Sequence, residues 1–186
     1  MRLFVGIAVP KDVVRRMSAL VDTMRPRAPL KWSLRTDLHV TTKFIGEQPG
    51  SRIGEMERAL HALPPRAPFR IAVRGVGWFP DADAPRILWA GVDAPSGLAE
   101  LAADTERALV ALGIAKERRS YSPHVTLARV PARASLDAIH ETLGALPAKE
   151  FGAFTVDRFA LFESRLADDL TRYHALATFP FSAGPP

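Results

Sequence analysis

The feature that most constrains this chain is a short motif that occurs twice, each time inside an apolar run. The first copy reads Leu38-His39-Val40-Thr41-Thr42-Lys43-Phe44-Ile45-Gly46, and the second reads Pro123-His124-Val125-Thr126-Leu127-Ala128-Arg129-Val130. Both runs have the β-branched and aromatic content of strands. Side chains alternate faces along a strand, so His and Thr at i and i+2 project to the same side. Each copy thus presents an imidazole beside a hydroxyl, while the intervening valine turns towards a core. A lone His-x-Thr means little, but two copies in matching contexts, one in each half, are poorly explained as coincidence.

The rest of the chain reads as two comparable series. Leu3 to Val9 is expected to form a first strand. Pro10 suits a helix start, and Val14, Met17, Val21 and Met24 recur at helical spacing until Pro26 and Pro29 close the segment. A strand over Leu38–Ile45 follows, then a helix with Ser51 as its cap and Ile53, Met56 and Leu60 on one face, stopped by Pro64-Pro65. Strands are expected over Phe69–Phe79 and Arg86–Val92, with Pro80-Asp81-Ala82-Asp83 as the turn. The second series has a helix over Gly97–Leu112, with Leu98, Leu101, Thr105, Leu109 and Leu112 buried and Gly113 as its C-terminal cap. A strand over His124–Val130 comes next, then a Ser135-capped helix with Leu136, Ile139, Leu143 and Leu146 inward. Strands over Phe151–Phe162 and Tyr173–Phe179 finish the chain, with Asp168-Asp169 near their turn. No linker separates the halves. The expected fold class is α+β, a single domain over residues 1–186 made of two intertwined lobes of antiparallel sheet with helices outside. A cleft lies between the lobes.

Composition narrows the chemistry. Among 186 residues there is no cysteine, which removes disulfides, thiolate metal sites and cysteine nucleophiles, and suits a reducing cytoplasm. The opening apolar run ends at Pro10-Lys11-Asp12, too short for a leader or a membrane span. A formal net charge of +5 favours polyanionic partners such as RNA. The five histidines show no metalloprotease spacing and no carboxylate-rich cluster, so neither metal nor cofactor is expected. His61 and His140 are expected to face solvent, and His174 to pack.

Two opposed His-Thr pairs suit phosphodiester hydrolysis. One imidazole takes a proton from water while the other, protonated, gives one to the departing oxygen. The threonine hydroxyls donate to nonbridging phosphate oxygens. This chemistry is nearly symmetric and does not say which histidine plays which part. Arg129 is a further phosphate candidate. Strict alternation places it opposite His124, so it reaches the cleft only where the strand twists, bulges or ends. Lys43 has the parity to share a face with His39. Phe44 and Trp32 offer aromatic surface to a base, although core packing is expected for both.

At these residues the chain resembles the 2H phosphoesterase superfamily, and within it the LigT-like RNA 2′,3′-cyclic phosphodiesterases once described as 2′-5′ RNA ligases. The resemblance extends to Arg2-Leu3-Phe4-Val5-Gly6-Ile7, to Leu161-Phe162-Glu163-Ser164-Arg165-Leu166 and to Tyr173-His174-Ala175-Leu176. It implies a bilobal pseudo-twofold fold with both motifs in a central cleft. It also implies hydrolysis of a terminal 2′,3′-cyclic phosphate of RNA or an oligonucleotide to a 2′-phosphate. His39 would then protonate the leaving 3′-oxygen and His124 would activate water, with Thr41 and Thr126 on the phosphate. Weak reverse 2′-5′ joining is open to the same groups. Neither membrane nor obligate protein partner is implied, and a monomer is expected. The rival is a noncatalytic nucleotide- or RNA-binding module using the same cleft.

Overall fold

Every strand pairing among the described residues is antiparallel. The computed structural model describes residues 1–132, 134–145, 149–167 and 170–182, so Leu146 and Asp168-Asp169 lie outside the described residues. The elements run β1 (Arg2–Ala8), α1 (Lys11–Met24), β2 (Lys31–Trp32), β3 (His39–Glu47), α2 (Ile53–His61), β4 (Phe69–Phe79), β5 (Ile87–Asp93) and α3 (Ser96–Ala111). They continue with β6 (His124–Arg129), α4 (Asp137–Ala145), β7 (Glu150–Val156), β8 (Arg158–Ala167) and β9 (Leu170–Pro180).

The strands form one sheet in the order β7-β4-β5-β6-β3-β1-β8-β9, with the two-residue β2 added beside β6. β6 and β3, which carry the two motifs, are the central pair. The flanking strands correspond across this centre: β5 with β1, β4 with β8, β7 with β9. Each lobe therefore draws strands from both halves of the sequence.

Phe151–Phe162 is expected to be one strand, but it breaks at Asp157, where the charged pair Asp157-Arg158 interrupts the apolar residues. β7 pairs with β4 in one lobe, whereas β8 pairs with β1 in the other. Six strand spacings of ~4.8 Å would separate β7 from β8 in a flat sheet, roughly 29 Å. A single intervening residue spans only a few ångströms. The sheet must therefore curl until its ends meet. There Phe69, at the start of β4, stacks on Phe181 just beyond β9, with ring centroids 5.6 Å apart.

Helices cover one face of the sheet. Along α1 the buried stripe is Val13, Met17, Leu20, Val21 and Met24. Val14 sits on its flank, because the i, i+4, i+7, i+8 series that fits the sheet starts one residue earlier than expected. α2 buries Met56 and Leu60. Ser51 lies within a 3-10 turn (Gly50–Arg52) instead of capping the helix. α3 buries Leu98, Leu101, Thr105 and Leu109, and Gly113 ends it with φ 82°, the left-handed conformation that glycine adopts without a Cβ clash. Beneath the helices Leu3, Val5, Ile7, Val40, Leu88, Ala90, Val125 and Leu127 fill the core. Each larger aliphatic buried there contributes about 1.5–3 kcal/mol relative to exposure. Among the described residues no helix is long and apolar enough to cross a membrane.

Candidate active site

Val40 and Val125 are register partners in the β3–β6 pair. Antiparallel geometry then sets His39 alongside Thr126 and Thr41 alongside His124. Both valines are fully buried, so the four polar side chains, all half-buried, share the opposite face of the sheet. Each imidazole thus has the other motif's threonine beside it. The local twofold passes between the two valines.

The histidines are held in the same way. Nδ1 of His39 lies 2.7 Å from the Asp37 carbonyl, and Nδ1 of His124 lies 2.8 Å from the Ser122 carbonyl. A carbonyl only accepts, so Nδ1 carries the proton in both rings and Nε2 is left for a substrate. The threonine backbones are also clamped in parallel. Tyr121 Oη donates to the Thr41 carbonyl at 3.1 Å, and Ser33 Oγ donates to the Thr126 carbonyl at 2.8 Å. No described residue bonds to either threonine hydroxyl, so both can donate to a ligand.

Around this symmetric centre the packing differs. Phe4 lies 4.5 Å from the His39 ring centroid, and Tyr173 meets the same ring edge-on at 4.7 Å. Phe4 reaches His39 because Gly6 intervenes; a Cβ at Gly6 would stand 2.7 Å from the Val40 carbonyl oxygen and 3.4 Å from the Phe4 ring. His124 instead has Phe79 edge-on at 4.9 Å, with Trp89 5.1 Å beyond that ring. Burial among these rings lowers the His39 pKa from 6.5 to about 4; the bond to the Asp37 carbonyl opposes this, and the charges of His124 and Arg129 add to it. Burial also lowers His124, opposed by the Ser122 carbonyl and aided by Arg119. Burial raises the Tyr173 phenol.

Bulges decide which later side chains enter the site. On β3, Val5 pairs with Lys43 and Gly6 with Thr41, so Thr42 is an extra residue. On β6, Leu88 pairs with Ala128 and Trp89 with Thr126, so Leu127 is extra. Each bulge reverses parity from the second residue beyond its threonine onward. Lys43, expected beside His39, therefore turns into the core, 4% exposed, where Nζ meets Glu106 at 2.8 Å and the Ala115 carbonyl at 2.6 Å. Phe44, expected in the core, stands 53% exposed on the histidine face. Arg129 also comes onto the histidine face, exposed and unpaired among the described residues. Its charge acts on His39 and Tyr173.

The remaining candidates lie elsewhere. Trp32 is partly buried against the core, with Nε1 3.4 Å from the Ala28 carbonyl and Arg25 5.8 Å from its ring centroid. His61 and His140 are exposed, against Phe179 and Trp78 respectively. His174, expected to pack, is exposed opposite Glu163, because its neighbour Tyr173 takes the inward position. The aromatic shell of Phe4, Tyr173 and Phe79 and the clamps Ser33 and Tyr121 were not singled out by sequence reasoning. Phe4, Phe79 and Tyr173 are far along the chain from the histidines they touch, and Ser33 and Tyr121 each lie near one motif but clamp the threonine of the other.

Known proteins share this fold and much of this sequence. The chain is 33% identical to the RNA 2′,3′-cyclic phosphodiesterase of Aeropyrum pernix over 83% of its own length and 88% of that protein's. It is 29% identical to a Geobacillus stearothermophilus protein of the same name over 98% of its length, but spans only 58% of that longer relative. The crystal structure of a Thermus thermophilus protein superposes with a TM-score of 0.80 at 28% identity, covering 97% of this chain and 98% of the other. E. coli LigT shares the fold, with a TM-score of 0.82 at 22% identity over 98% of each chain. Residues 10–168, containing both His-Val-Thr motifs, match the family model described as the 2′-5′ RNA ligase superfamily, and the chain belongs to that family.

Proposed function

We propose that this protein hydrolyses the 2′,3′-cyclic phosphate end of RNA or an oligonucleotide to a 2′-phosphate, with His39 and His124 as the acid–base pair. The observation that carries the reading is the crossed arrangement of the motifs. Two imidazoles, each with Nδ1 tied to the carbonyl two residues back, flank one patch between two threonine hydroxyls that no described residue engages.

Thr41 and Thr126 donate to the nonbridging oxygens of the phosphodiester. Water attacks phosphorus in line with the leaving oxygen. One histidine, neutral, accepts the water proton at Nε2 as the new P–O bond forms. The other, protonated, gives its Nε2 proton to O3′ as the P–O3′ bond breaks. A proton is thus taken up at one ring and delivered from the other, and no cofactor is consumed. By family likeness His39 serves the leaving oxygen and His124 the water. Each positioned acid or base contributes ~10²–10⁴-fold. The relatives named RNA 2′,3′-cyclic phosphodiesterase support this substrate class. The protein acts as a monomer in a reducing cytoplasm, which its lack of cysteine suits.

The test is an oligonucleotide ending in a 2′,3′-cyclic phosphate, incubated in chelator with wild type, His39→Ala and His124→Ala. Conversion to a 2′-phosphate by wild type alone is expected. Nucleotide binding without turnover would replace this reading with that of a binding module.

A further inference from the structure

Residues 115–122, which lead into His124, are exposed throughout and belong to no helix or strand. A segment of this kind has little packing to hold it and is open to local motion. Yet Ser122, its last residue, supplies the carbonyl that fixes the His124 ring, 2.8 Å from Nδ1. The sheet does not place that carbonyl. Just before β6, the Val92 N–H reaches the Pro123 carbonyl at 3.3 Å, and Ser122 lies outside that bond.

What holds the segment is β3. At its start, Lys43 Nζ donates to the Ala115 carbonyl at 2.6 Å. The same ammonium meets Glu106 of α3 at 2.8 Å, and the other oxygen of that carboxylate accepts from the Glu117 backbone N–H at 2.9 Å. Glu117 Oε1 in turn accepts from the backbone N–H groups of Arg118 and Arg119 at 2.9 and 3.1 Å, which folds the middle of the segment onto itself. At its end, Tyr121 Oη donates to the Thr41 carbonyl at 3.1 Å. Lys43 and Thr41 both belong to the strand of the first motif, and the histidine they secure belongs to the second.

Stability does not account for Lys43. Its side chain is 2% exposed, and apolar residues of similar volume usually serve a core as well as a buried ion pair or better. An ammonium does what an apolar group cannot: it fixes a backbone carbonyl in place.

Building on the hydrolase reading above, we infer that Lys43 and Tyr121 are positioning residues for His124, acting through the segment 115–122 and the Ser122 carbonyl. The bulge at Thr42 is what turns Lys43 inward to make its tie. With both ties in place, the Ser122 carbonyl keeps the proton on Nδ1, and Nε2 is free to accept one from water. With either tie cut, the carbonyl drifts and the ring samples its other tautomer, in which Nε2 is protonated and accepts nothing. The threonine hydroxyls still meet the phosphate, so turnover falls more than binding. His39 is unaffected, because its Nδ1 is held by the Asp37 carbonyl.

The experiment uses the full chain labelled with ¹⁵N-histidine, as wild type, Lys43→Met and Tyr121→Phe, each checked for folding by circular dichroism. Ring nitrogen shifts at mildly alkaline pH, where both rings are neutral, report the tautomer of each histidine. His39→Gln and His124→Gln assign the signals. Wild type is expected to show both rings protonated on Nδ1. Both test variants are expected to shift His124 towards the Nε2-protonated form and to leave His39 unchanged. On a dinucleotide ending in a 2′,3′-cyclic phosphate, Lys43→Met should lower kcat by roughly tenfold or more with KM within about twofold, the pattern of lost positioning. Unchanged His124 shifts in the folded variants would overturn the proposal. Equal changes at both histidines would overturn it too, since a general loosening of the core gives that result. Tyr121→Phe, a change at an exposed side chain, decides alone if Lys43→Met fails to fold. Absence of wild-type turnover would overturn the hydrolase reading, and the ring shifts would still decide the positioning role.

Discussion

His39 stands alongside Thr126, a residue of the other motif, and not only beside Thr41 of its own. The two motifs are therefore halves of one constellation, and neither half is complete without the other strand.

Removing a threonine hydroxyl from either motif should impair the whole site. Thr41→Ala and Thr126→Ala are each expected to lower kcat/KM by roughly ten- to a hundredfold, the range of one or two lost hydrogen bonds to a charged group. Thr→Ser at either position should restore most of it. Steady-state kinetics on a cyclic dinucleotide check this, and an effect confined to one motif would contradict the crossed arrangement.

The pH profile follows from the buried rings. Catalysis requires one histidine protonated and the other neutral. In the free protein His39 is lowered from 6.5 to about 4 and His124 is lowered as well, so the singly protonated form dominates only below pH 6.5. The optimum of kcat/KM is expected on the acid side of 6.5. A bound phosphodiester anion favours protonated imidazole, so the optimum of kcat should lie higher. Coincident optima above 7 would rule this out.

His39 also links stability to pH. Its folded pKa of about 4 lies below the 6.5 of the unfolded chain, so between those values the unfolded state binds more protons. Stability rises with pH through this window and falls as pH drops from 6.5 towards 4. The lost stability is on the order of 3 kcal/mol at most, and less because the ring is partly exposed. His39→Gln should gain on wild type in urea unfolding at pH 4.5 compared with pH 7.5. A pH-independent difference would refute the linkage.

The Lys43–Glu106 pair should respond asymmetrically to substitution. Lys43 is 2% exposed in its side chain and Glu106 23%. Glu106→Gln leaves a buried ammonium unpaired and is expected to cost about 3 kcal/mol or more. Lys43→Met leaves a carboxylate that water can reach, and should cost less. Denaturant midpoints of the two variants give the order directly.

Gly6→Ala tests the packing behind His39. The added Cβ would press on the Val40 carbonyl and on the Phe4 ring. Overpacking of this kind costs about 1–3 kcal/mol, and displacing Phe4 should also raise the His39 pKa. Titration of the His39 ring by nuclear magnetic resonance would detect that upward shift, and an unmoved pKa would dismiss Phe4 as its cause.

The duplicated His-Val-Thr runs already determined which face each pair shares, because strand alternation is local and needs no partner. The helix stripes at Met17, Val21 and Met24 and at Leu98, Leu101 and Leu109 were legible for the same reason. Tertiary structure decided what lies beyond each threonine. The extra residues Thr42 and Leu127 are accommodated by the hydrogen bonding of β1 and β5, strands distant in sequence from one or both motifs. Those bulges bury Lys43 and bring Phe44 and Arg129 to the histidines. The break at Asp157 coincides with the charged pair Asp157-Arg158, but that the two pieces join different lobes is decided only by their pairing with β4 and β1. Patterns set by a residue's own neighbours can be read along the chain; parity after a bulge is set across the sheet.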